Sequence, residues 1–158
     1  MSRVAVIGGG PAGIMAAAAA AGCGHDSVLL EKNEKLGKKL FLTGKGRCNI
    51  TNSCDTDDFF ANILRNPKFL YSALYGFSNT DIVELINANG VPTKAERGKR
   101  IFPASDKSSD VIKALTRHLN NSGAELRLNT EVSGIRRAGS GFELTVNGEA
   151  QNPADYFK

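Results

Sequence analysis

The chain has 158 residues, a length typical of a single domain, with 41% hydrophobic and 23% charged residues. This is the composition of a globular protein, which excludes wholesale disorder and collagen-like repeats, and no run of about 18 apolar residues exists that could span a membrane. The net charge is +4, but residues 32–47 alone carry six basic residues and one acidic residue. That cluster indicates an anionic partner such as a phosphate, a nucleotide or a nucleic acid, unless it is a solvated loop.

The first thirty residues contain strand, turn and helix signals in close succession. Arg3–Ile7 is apolar and rich in β-branched residues, which predicts a buried strand, and the alanine-rich residues 12–21 predict a helix that begins near Pro11. Residues 27–31 predict a second strand, which ends in Glu31. A β-α-β unit of this kind predicts parallel strands joined by a right-handed crossover.

Further elements follow a long connection at residues 32–54, which is glycine- and lysine-rich and too long for an idle loop. The predicted elements after it are a helical stretch at 57–76 with a break before Pro67, a helix at 78–89 with a capping box of Ser78 and Asp81, a hairpin at 93–102, a helix at 109–121, and strands at 125–128, 131–136 and 142–146. We therefore expect an α/β fold over residues 1–158: a Rossmann-like domain with a parallel sheet, plus small β-strands at the C-terminal end.

The turn after the first strand carries the motif G-x-G-x-x-G, as Gly8-Gly9-Gly10-Pro11-Ala12-Gly13. In such a turn Gly8 permits the tight bend, Gly10 lets a pyrophosphate approach the backbone, and Gly13 lets the helix pack closely. Glu31 follows Gly13 by 18 residues, can accept hydrogen bonds from ribose hydroxyls and would repel the 2′-phosphate of NADP. The alternative is a glycine-rich turn with no ligand. Because Glu31 ends a strand, we expect its replacement to cost little stability.

The cysteines and histidines carry no recognisable site. Cys23, Cys48 and Cys54 are odd in number and lack both C-x-x-C and metal-type spacing, which predicts neither a disulfide framework nor a bound metal. His25 and His118 are predicted to be surface residues. This pattern of cysteine use fits a reducing cytoplasm.

One longer run is more specific than the glycine motif: Gly37-Lys-Lys-Leu-Phe-Leu-Thr-Gly-Lys-Gly-Arg-Cys-Asn-Ile-Thr-Asn52. Together with the glycine motif, the acid-ended strand and the later Lys99-Arg-Ile-Phe-Pro103 and Ser105-Asp-Lys107, it resembles the BaiN-type, or YhiN-type, family of FAD-dependent oxidoreductases. The resemblance covers nearly the whole chain. It implies the N-terminal part of a two-dinucleotide-binding flavoprotein fold, with FAD that is reduced by NADH or NADPH and a substrate domain inserted further along.

The resemblance also implies which residues contact FAD. They are Gly8, Gly10, Ala12 and Gly13 at the pyrophosphate, Glu31 and Lys32 at the adenosine ribose, Lys39, Gly44, Gly46, Arg47, Cys48 and Asn49 at the flavin half, and Val132 at adenine through its backbone. From the residues alone, Gly44 and Gly46 would let the loop approach a flat ring. Arg47 is either a cation near phosphate or flavin or a surface cation, and Cys48 serves either packing or a flavin contact.

The function implied by the resemblance is the FAD-dependent reduction of an activated carbon–carbon double bond in a small molecule, a reaction that includes oxidised bile acids among its substrates. The family continues beyond this length, so we expect a fragment that lacks the substrate domain, with the strand toward the closing segment of the FAD site beginning near residues 152–158. Two alternatives are a non-catalytic module that binds an adenine dinucleotide and a flavin-dependent reduction of a base in RNA, since uracil also has an activated double bond. No membrane partner is expected.

Overall fold

The structure is a computed structural model that describes residues 2–151, so the strand expected near residues 152–158 lies outside the described residues. In chain order its elements are β1 (Arg3–Ile7), α1 (Pro11–Gly22), β2 (Asp26–Leu30), α2 (Lys38–Leu42), β3 (Thr51–Asn52), α3 (Thr56–Ala61), α4 (Tyr71–Gly76), α5 (Asn79–Ala88), β4 (Thr93–Glu96), β5 (Arg100–Pro103), α6 (Ser108–Ser122), β6 (Glu125–Arg127), β7 (Val132–Ala138), β8 (Gly141–Val146) and β9 (Glu149–Gln151). Short 3-10 turns lie at Thr43–Gly46 and Pro67–Leu70.

The chain divides into two compact units. The first comprises the chain up to Leu40 together with the chain from Leu115 onward, and the second is Phe41–Ala114. The glycine motif and the predicted parallel strands belong to the first unit, and the predicted hairpin belongs to the second.

The first unit is built on a parallel sheet with the strand order β1-β2-β6, which confirms the prediction from the β-α-β pattern. Residues 28–30 of the central strand β2 are each at most 1% exposed. A strand that is covered on both faces must be apolar at every position, and this explains why the run does not alternate with polar residues. The register pairs Ile7 with Leu30, so both strands end at one edge and bring Gly8 and Glu31 together there.

Helix α1 packs against this sheet through small side chains. Ile14, Ala17 and Ala18 are its buried residues, and the hydroxyl of Ser27 on β2 donates to the carbonyl of Ala17 at 3.0 Å. The helix begins at Pro11, as predicted, and no side chain caps its N-terminus. Its first backbone N–H groups therefore have no partner within the helix.

A second sheet of the first unit is antiparallel, with the order β7-β8-β9. Leu144 and Val146 on β8 form one buried cluster with Val28 and Leu30 on β2, and Val132 packs against that cluster. The strands predicted at 131–136 and 142–146 are confirmed with slightly different bounds. The third strand, β9, was not predicted.

The second unit contains the antiparallel sheet β3-β5-β4, with the predicted hairpin formed by β4 and β5. The predicted capping box of α5 is confirmed, because Ser78 Oγ accepts from the Asp81 N–H and Asp81 Oδ2 accepts from the Ser78 N–H at 2.6 Å. The stretch predicted as helical at 57–76 is interrupted before Pro67, as expected, where Asn66 adopts a left-handed conformation. Helix α2 and strand β3 lie in the connection at 32–54 and were not predicted.

Candidate functional site

The turn between β1 and α1 is shaped by two glycines that face each other. Gly8 has a φ of +102°, which favours glycine, and its N–H donates to the carbonyl of Leu30 at 2.8 Å. A Cβ on Gly13 would overlap the carbonyl oxygen of Gly8, so the helix approaches the turn as closely as glycine permits. The predicted roles of Gly8 in the tight bend and of Gly13 in close packing are confirmed.

The two middle glycines differ from each other. Gly9 is buried, and a Cβ there would overlap the side chain of Leu36 and lie 3.0 Å from Glu31 Oε2. Gly10 has a φ of −78°, and, its chain neighbours aside, no heavy atom of residues 2–151 lies within 4 Å of a Cβ built on it. The turn is thus closed toward the protein at Gly9 and open at Gly10. Ala12, two residues further on in the first turn of α1, is exposed.

Glu31 is 7% exposed, and its carboxylate holds the glycine turn. One oxygen, Oε2, accepts from the Gly9 N–H at 2.6 Å, and the other, Oε1, accepts from the Asn33 N–H at 2.8 Å and from the Asn33 side-chain amide. Burial raises the pKa of this carboxyl, but the hydrogen bonds from Asn33 and Gly9 outweigh burial, and its pKa lies below the ordinary value for glutamate. The ionised form is therefore the form that the fold stabilises.

This arrangement contradicts the expectation that Glu31 can be replaced at little cost to stability. A buried carboxylate that satisfies three donors leaves those donors unpaired when it is removed. Asn33, which was not predicted as a site residue, has a side-chain oxygen that accepts from Lys38 Nζ at 2.9 Å. An asparagine two residues after a strand-ending acid is a turn signal that could have indicated it.

The other residues predicted for the adenosine half lie close to Glu31 in the chain or in the fold. The Thr130 N–H donates to the carbonyl of Glu31 at 2.9 Å, and Val132 begins β7 two residues later. Lys32 is exposed, with its ammonium 3.8 Å from the carboxylate of Glu131. The first unit therefore contains Gly8, Gly10, Ala12, Gly13, Glu31, Lys32 and Val132, and it also contains Lys39, which is exposed on α2.

Residues 44–48 of the second unit form a loop with an unusual backbone. Four of them have left-handed φ values, namely Gly44 (57°), Lys45 (57°), Gly46 (86°) and Cys48 (61°). A Cβ on Gly44 would lie 2.9 Å from the backbone nitrogen of Asn49, so this position requires glycine for its space as well as for its φ. The loop is compact, because the Arg47 N–H donates to the Gly44 carbonyl and the Cys48 N–H to the Thr43 carbonyl.

Arg47 makes several contacts within the second unit. Its Nε lies 2.9 Å and its Nη2 lies 2.5 Å from Asp106 Oδ1, Nη2 also donates to Glu96, and the guanidinium carbon lies 4.3 Å from the ring centre of Phe102. The hydrogen bond from Arg47 lowers the pKa of Glu96, and those from Lys94 and Arg47 lower the pKa of Asp106. Neither acid was predicted from the sequence, because no local signal pairs residues so far apart in the chain.

Cys48 is 1% exposed, whereas the neighbouring Asn49 is exposed. Burial raises the pKa of the Cys48 thiol, while a hydrogen bond with Thr43 opposes that rise. All three cysteines, including Cys23 and Cys54, are free thiols. Five of the six residues predicted for the flavin half lie in the second unit, namely Gly44, Gly46, Arg47, Cys48 and Asn49, and the sixth, Lys39, lies in the first unit.

Residues 2–151 contain neither a candidate metal site nor a candidate membrane-spanning helix. No cluster of three or more histidine, cysteine, aspartate or glutamate side chains there could hold a metal ion. In the same part of the chain no helix combines the length and the apolar character needed to cross a membrane.

A parallel β-α-β unit whose glycine turn is open at one position, beside a buried carboxylate at the end of the second strand, defines a Rossmann-type domain. The family model described as the HI0933-like protein Rossmann domain matches residues 2–156, and the chain belongs to this family. The family resemblance predicted from the run at 37–52 is confirmed.

Two curated proteins of this kind are similar in sequence. The chain is 33% identical to the 3-dehydro-bile acid delta(4,6)-reductase of Clostridium scindens, over 98% of this chain and 37% of the relative. It is 30% identical to the ribosomal RNA dihydrouridine synthase of Escherichia coli, over 90% of this chain and 35% of the relative. The chain thus spans little more than a third of the length of these relatives.

Solved structures with a similar fold include the open conformation of a flavocytochrome c3 fumarate reductase, with a TM-score of 0.61 at 23% identity over 94% of this chain and 30% of the other. Another is Thermovibrio ammonificans THI4, with a TM-score of 0.60 at 12% identity over 92% of this chain and 47% of the other. Identities this low show the shared fold and nothing more.

Proposed function

We propose that the chain is the FAD-binding part of an oxidoreductase that reduces an activated carbon–carbon double bond in a small molecule. The observation that carries this proposal is the glycine turn, which is open at Gly10 and held beside the carboxylate of Glu31. Membership of the family supports the oxidoreductase class, and the Clostridium scindens relative is named as a reductase of a bile acid. FAD, when bound, supplies the hydride-transfer chemistry.

The residues of the first unit would bind the adenosine diphosphate half. The backbone N–H groups at the start of α1 attract negative charge, and Gly10 leaves the space in which a pyrophosphate can meet them. Glu31 uses both oxygens to hold Gly9 and Asn33, but Oε2 accepts only from the Gly9 N–H, so its second lone pair can accept from a ribose hydroxyl. Val132 would meet adenine through its backbone.

The resemblance assigns the flavin half to the residues of the second unit, together with Lys39. Gly44 and Gly46 lack side chains, Asn49 is exposed and can donate or accept, and Cys48 presents a buried thiol. NADH or NADPH would supply the electrons. The free thiols of the chain are consistent with a reducing cytoplasm as its location.

The experiment is a titration of the purified chain with FAD and, separately, with ADP-ribose. We expect both to bind, with FAD the tighter ligand, and we expect Gly10→Val to abolish both because its branched side chain occupies the space left for the pyrophosphate. Since φ at Gly10 is negative and no packed atom opposes a Cβ, this variant should fold normally, as checked by circular dichroism.

The matched control is Gly22→Val, at the other end of the same helix, where a Cβ also meets open space. This variant should bind both ligands like the parent. If a folded Gly10→Val protein binds FAD and ADP-ribose like the parent, the phosphate site is not at this turn. If the parent binds ADP-ribose and FAD equally well, the first alternative is favoured, in which the chain is a nucleotide-binding module without turnover.

A second candidate function is the reduction of a base in RNA, and the Escherichia coli relative named as a ribosomal RNA dihydrouridine synthase favours it. The basic cluster at 32–47 supports RNA binding less strongly than the sequence suggested, because four of its six basic residues have acidic partners. Those pairs are Lys32 with Glu131, Lys35 and Lys38 with Glu34, and Arg47 with Glu96 and Asp106. RNA binding would support this candidate if a plot of the logarithm of the affinity against the logarithm of the salt concentration has a slope that corresponds to several phosphate contacts. No binding would count against it.

A further inference from the structure

We propose that Arg47 is a positioning residue: together with Asp106 and Glu96 it forms a clamp that fixes the backbone of residues 43–49, and it does not itself hold a phosphate or flavin. The name Arg47 clamp is used below for Arg47, Glu96, Asp106 and the ring of Phe102. All of its members lie in the second unit.

The guanidinium of Arg47 is held by several neighbouring side chains. Two of its nitrogens donate to Asp106 and one of these also donates to Glu96, while its central carbon lies 4.3 Å from the centre of the Phe102 ring. A guanidinium held by two carboxylates and in contact with an aromatic ring has little rotational freedom left. Phe102 is 4% exposed and therefore provides a fixed base.

The second argument is electrostatic. Lys94 Nζ lies 2.6 Å from Asp106 Oδ2 and 3.6 Å from Glu96 Oε1, so two cations face two carboxylates in one cluster. The charge of Arg47 is therefore balanced within the cluster. An arginine that recruits a phosphate would present uncompensated charge, and this one does not.

The third argument is the backbone that the clamp spans. Lys45 and Cys48 adopt left-handed φ values of 57° and 61°, which are costly for residues with a side chain. Such conformations persist only where the surrounding structure determines them. Arg47 lies between these two positions. Its side chain binds Glu96 and Asp106, which lie 49 and 59 positions further along the chain, and these bonds are placed to hold the loop backbone in its left-handed conformation.

The clamp also joins two segments that are far apart in the sequence, the loop at residues 43–49 and the region at residues 96–106. The Ile50 N–H donates to the carbonyl of Ile101 at 2.8 Å, where β3 pairs with β5, and this places Arg47 beside Phe102. Asp106, in its own left-handed turn with a φ of 57°, completes the cluster. The inference that the clamp shapes a flavin-contacting loop rests on the proposed function, whereas the clamp itself does not.

The first arm of the test uses Cys48 as a reporter of loop order, in a chain where Cys23→Ser and Cys54→Ser leave it as the only thiol. Reaction with dithiodipyridine should be slow in this parent because Cys48 is buried. We expect Arg47→Met and Asp106→Asn each to speed the reaction about tenfold or more, through local opening, with native circular dichroism retained. Arg47→Lys, which keeps one charged donor, should restore part of the protection.

The matched control is Arg100→Met, which removes the same charge and an arginine 5.8 Å from the same ring; Arg100 pairs with Glu96 only through the backbone ladder, and its guanidinium donates to the carbonyl of Arg97 rather than to Glu96 or Asp106. It should leave Cys48 as slow as in the parent. If Arg47→Met and Asp106→Asn also leave Cys48 protected, the clamp does not hold the loop and the proposal is overturned. Should Arg47→Met fail to fold, the comparison of Asp106→Asn with Arg100→Met decides the same question.

The second arm measures FAD affinity and separates positioning from direct contact. If Arg47 positions the loop, Asp106→Asn weakens FAD binding about as much as Arg47→Met, because both release the same backbone. If Arg47 contacts the cofactor, removing the carboxylate of Asp106 frees positive charge and strengthens the binding of an anionic ligand, which would overturn the proposal. A parent chain that binds no FAD but protects Cys48 through the clamp would contradict the proposed function and support the clamp.

Discussion

The turn at residues 8–13 and the loop at residues 43–49 are both rich in glycine, but different forces hold them. The turn is fixed by backbone contacts and by one buried carboxylate, that of Glu31, which accepts the Gly9 N–H. The loop is fixed by a partly exposed network of charges around Arg47, whose side chain is 36% exposed. Water and ions therefore reach the ion pairs of Arg47 but hardly reach the carboxylate of Glu31.

This difference has consequences for how each segment responds to change. The closely packed positions of the turn, such as Gly13, have no tolerance for added atoms, and the order of the turn is insensitive to ionic strength. A loop held by ion pairs tolerates added atoms where it is open, but its order depends on the solution that screens those pairs. Substitutions, pH and salt should therefore affect the turn and the loop differently.

The largest effect is expected for Gly13→Ala. The new methyl group would overlap the carbonyl oxygen of Gly8, and backbone cannot move aside as a flexible side chain can. We expect the free energy of unfolding to fall by about 3 kcal/mol or more, the upper range for overpacking. Denaturant titration measures this. Gly22→Ala in the same helix, where the methyl meets open space, should not destabilise the chain, and equal stability of both variants would show that the packing at Gly13 is not tight.

A smaller effect is expected for Glu31→Gln, which keeps the shape but turns an amide toward donors that need an acceptor. One unsatisfied buried donor costs about 1–3 kcal/mol, and this loss should appear at neutral pH in denaturant titrations. The control is Glu131→Gln, whose side chain is 61% exposed and should change stability little. A Glu31→Gln chain as stable as the parent would mean that the carboxylate does not hold Gly9.

The same comparison has a defined pH dependence. Because the pKa of Glu31 is lowered in the fold, the ionised carboxylate contributes stability that is complete above the unfolded-state value of about 4.3 and is lost as the pH falls through the folded-state pKa. The stability difference between the parent and Glu31→Gln should therefore shrink below about pH 4.3. A difference that stays constant or grows in acid would contradict the lowered pKa.

In the loop, a comparison of Gly44→Ala with Gly46→Ala separates the cost of backbone strain from the cost of a steric contact. Both positions have positive φ, so both substitutions should cost about 1–2 kcal/mol of backbone strain in unfolding experiments. Only at Gly44 does a Cβ also press on the nitrogen of Asn49, at 2.9 Å, so Gly44→Ala should be the more destabilising of the two. Equal losses would show that the loop can shift to relieve this contact.

The two segments also differ in how far their sequence predicts them. The turn follows from local signals, namely a glycine pattern, an adjacent strand and an acid at a fixed distance, so Gly8, Gly13 and Glu31 could be placed correctly. That Glu31 would bind the Gly9 N–H could not be foreseen, because it depends on the direction of one backbone N–H.

The contacts of the loop could not be predicted at all. The partners of Arg47 are 49 and 59 residues away, and their meeting depends on the pairing of the two-residue strand β3 with β5. A strand of two residues has no periodicity that a sequence could display. The sequence therefore showed the glycine-rich loop and its charge, but neither the acids that compensate that charge nor the left-handed backbone at Cys48.

The smallest effect is expected from salt. It tests whether the turn and the loop are held by different forces, and it needs no substitution within either segment. In about 1 M NaCl the Debye length is about 3 Å, comparable to the distances within the Arg47 clamp, so the partly exposed pairs of Arg47 with Glu96 and Asp106 weaken. Looser pairing opens the loop more often, so the Cys48 thiol should react a few-fold faster in the single-thiol chain. The Gly9 N–H, bonded to a carboxylate that is 7% exposed, should show unchanged hydrogen exchange over the same salt range. If salt speeds exchange at Gly9 as much as it speeds reaction at Cys48, the chain opens as a whole, and the two glycine-rich segments are not held by different forces.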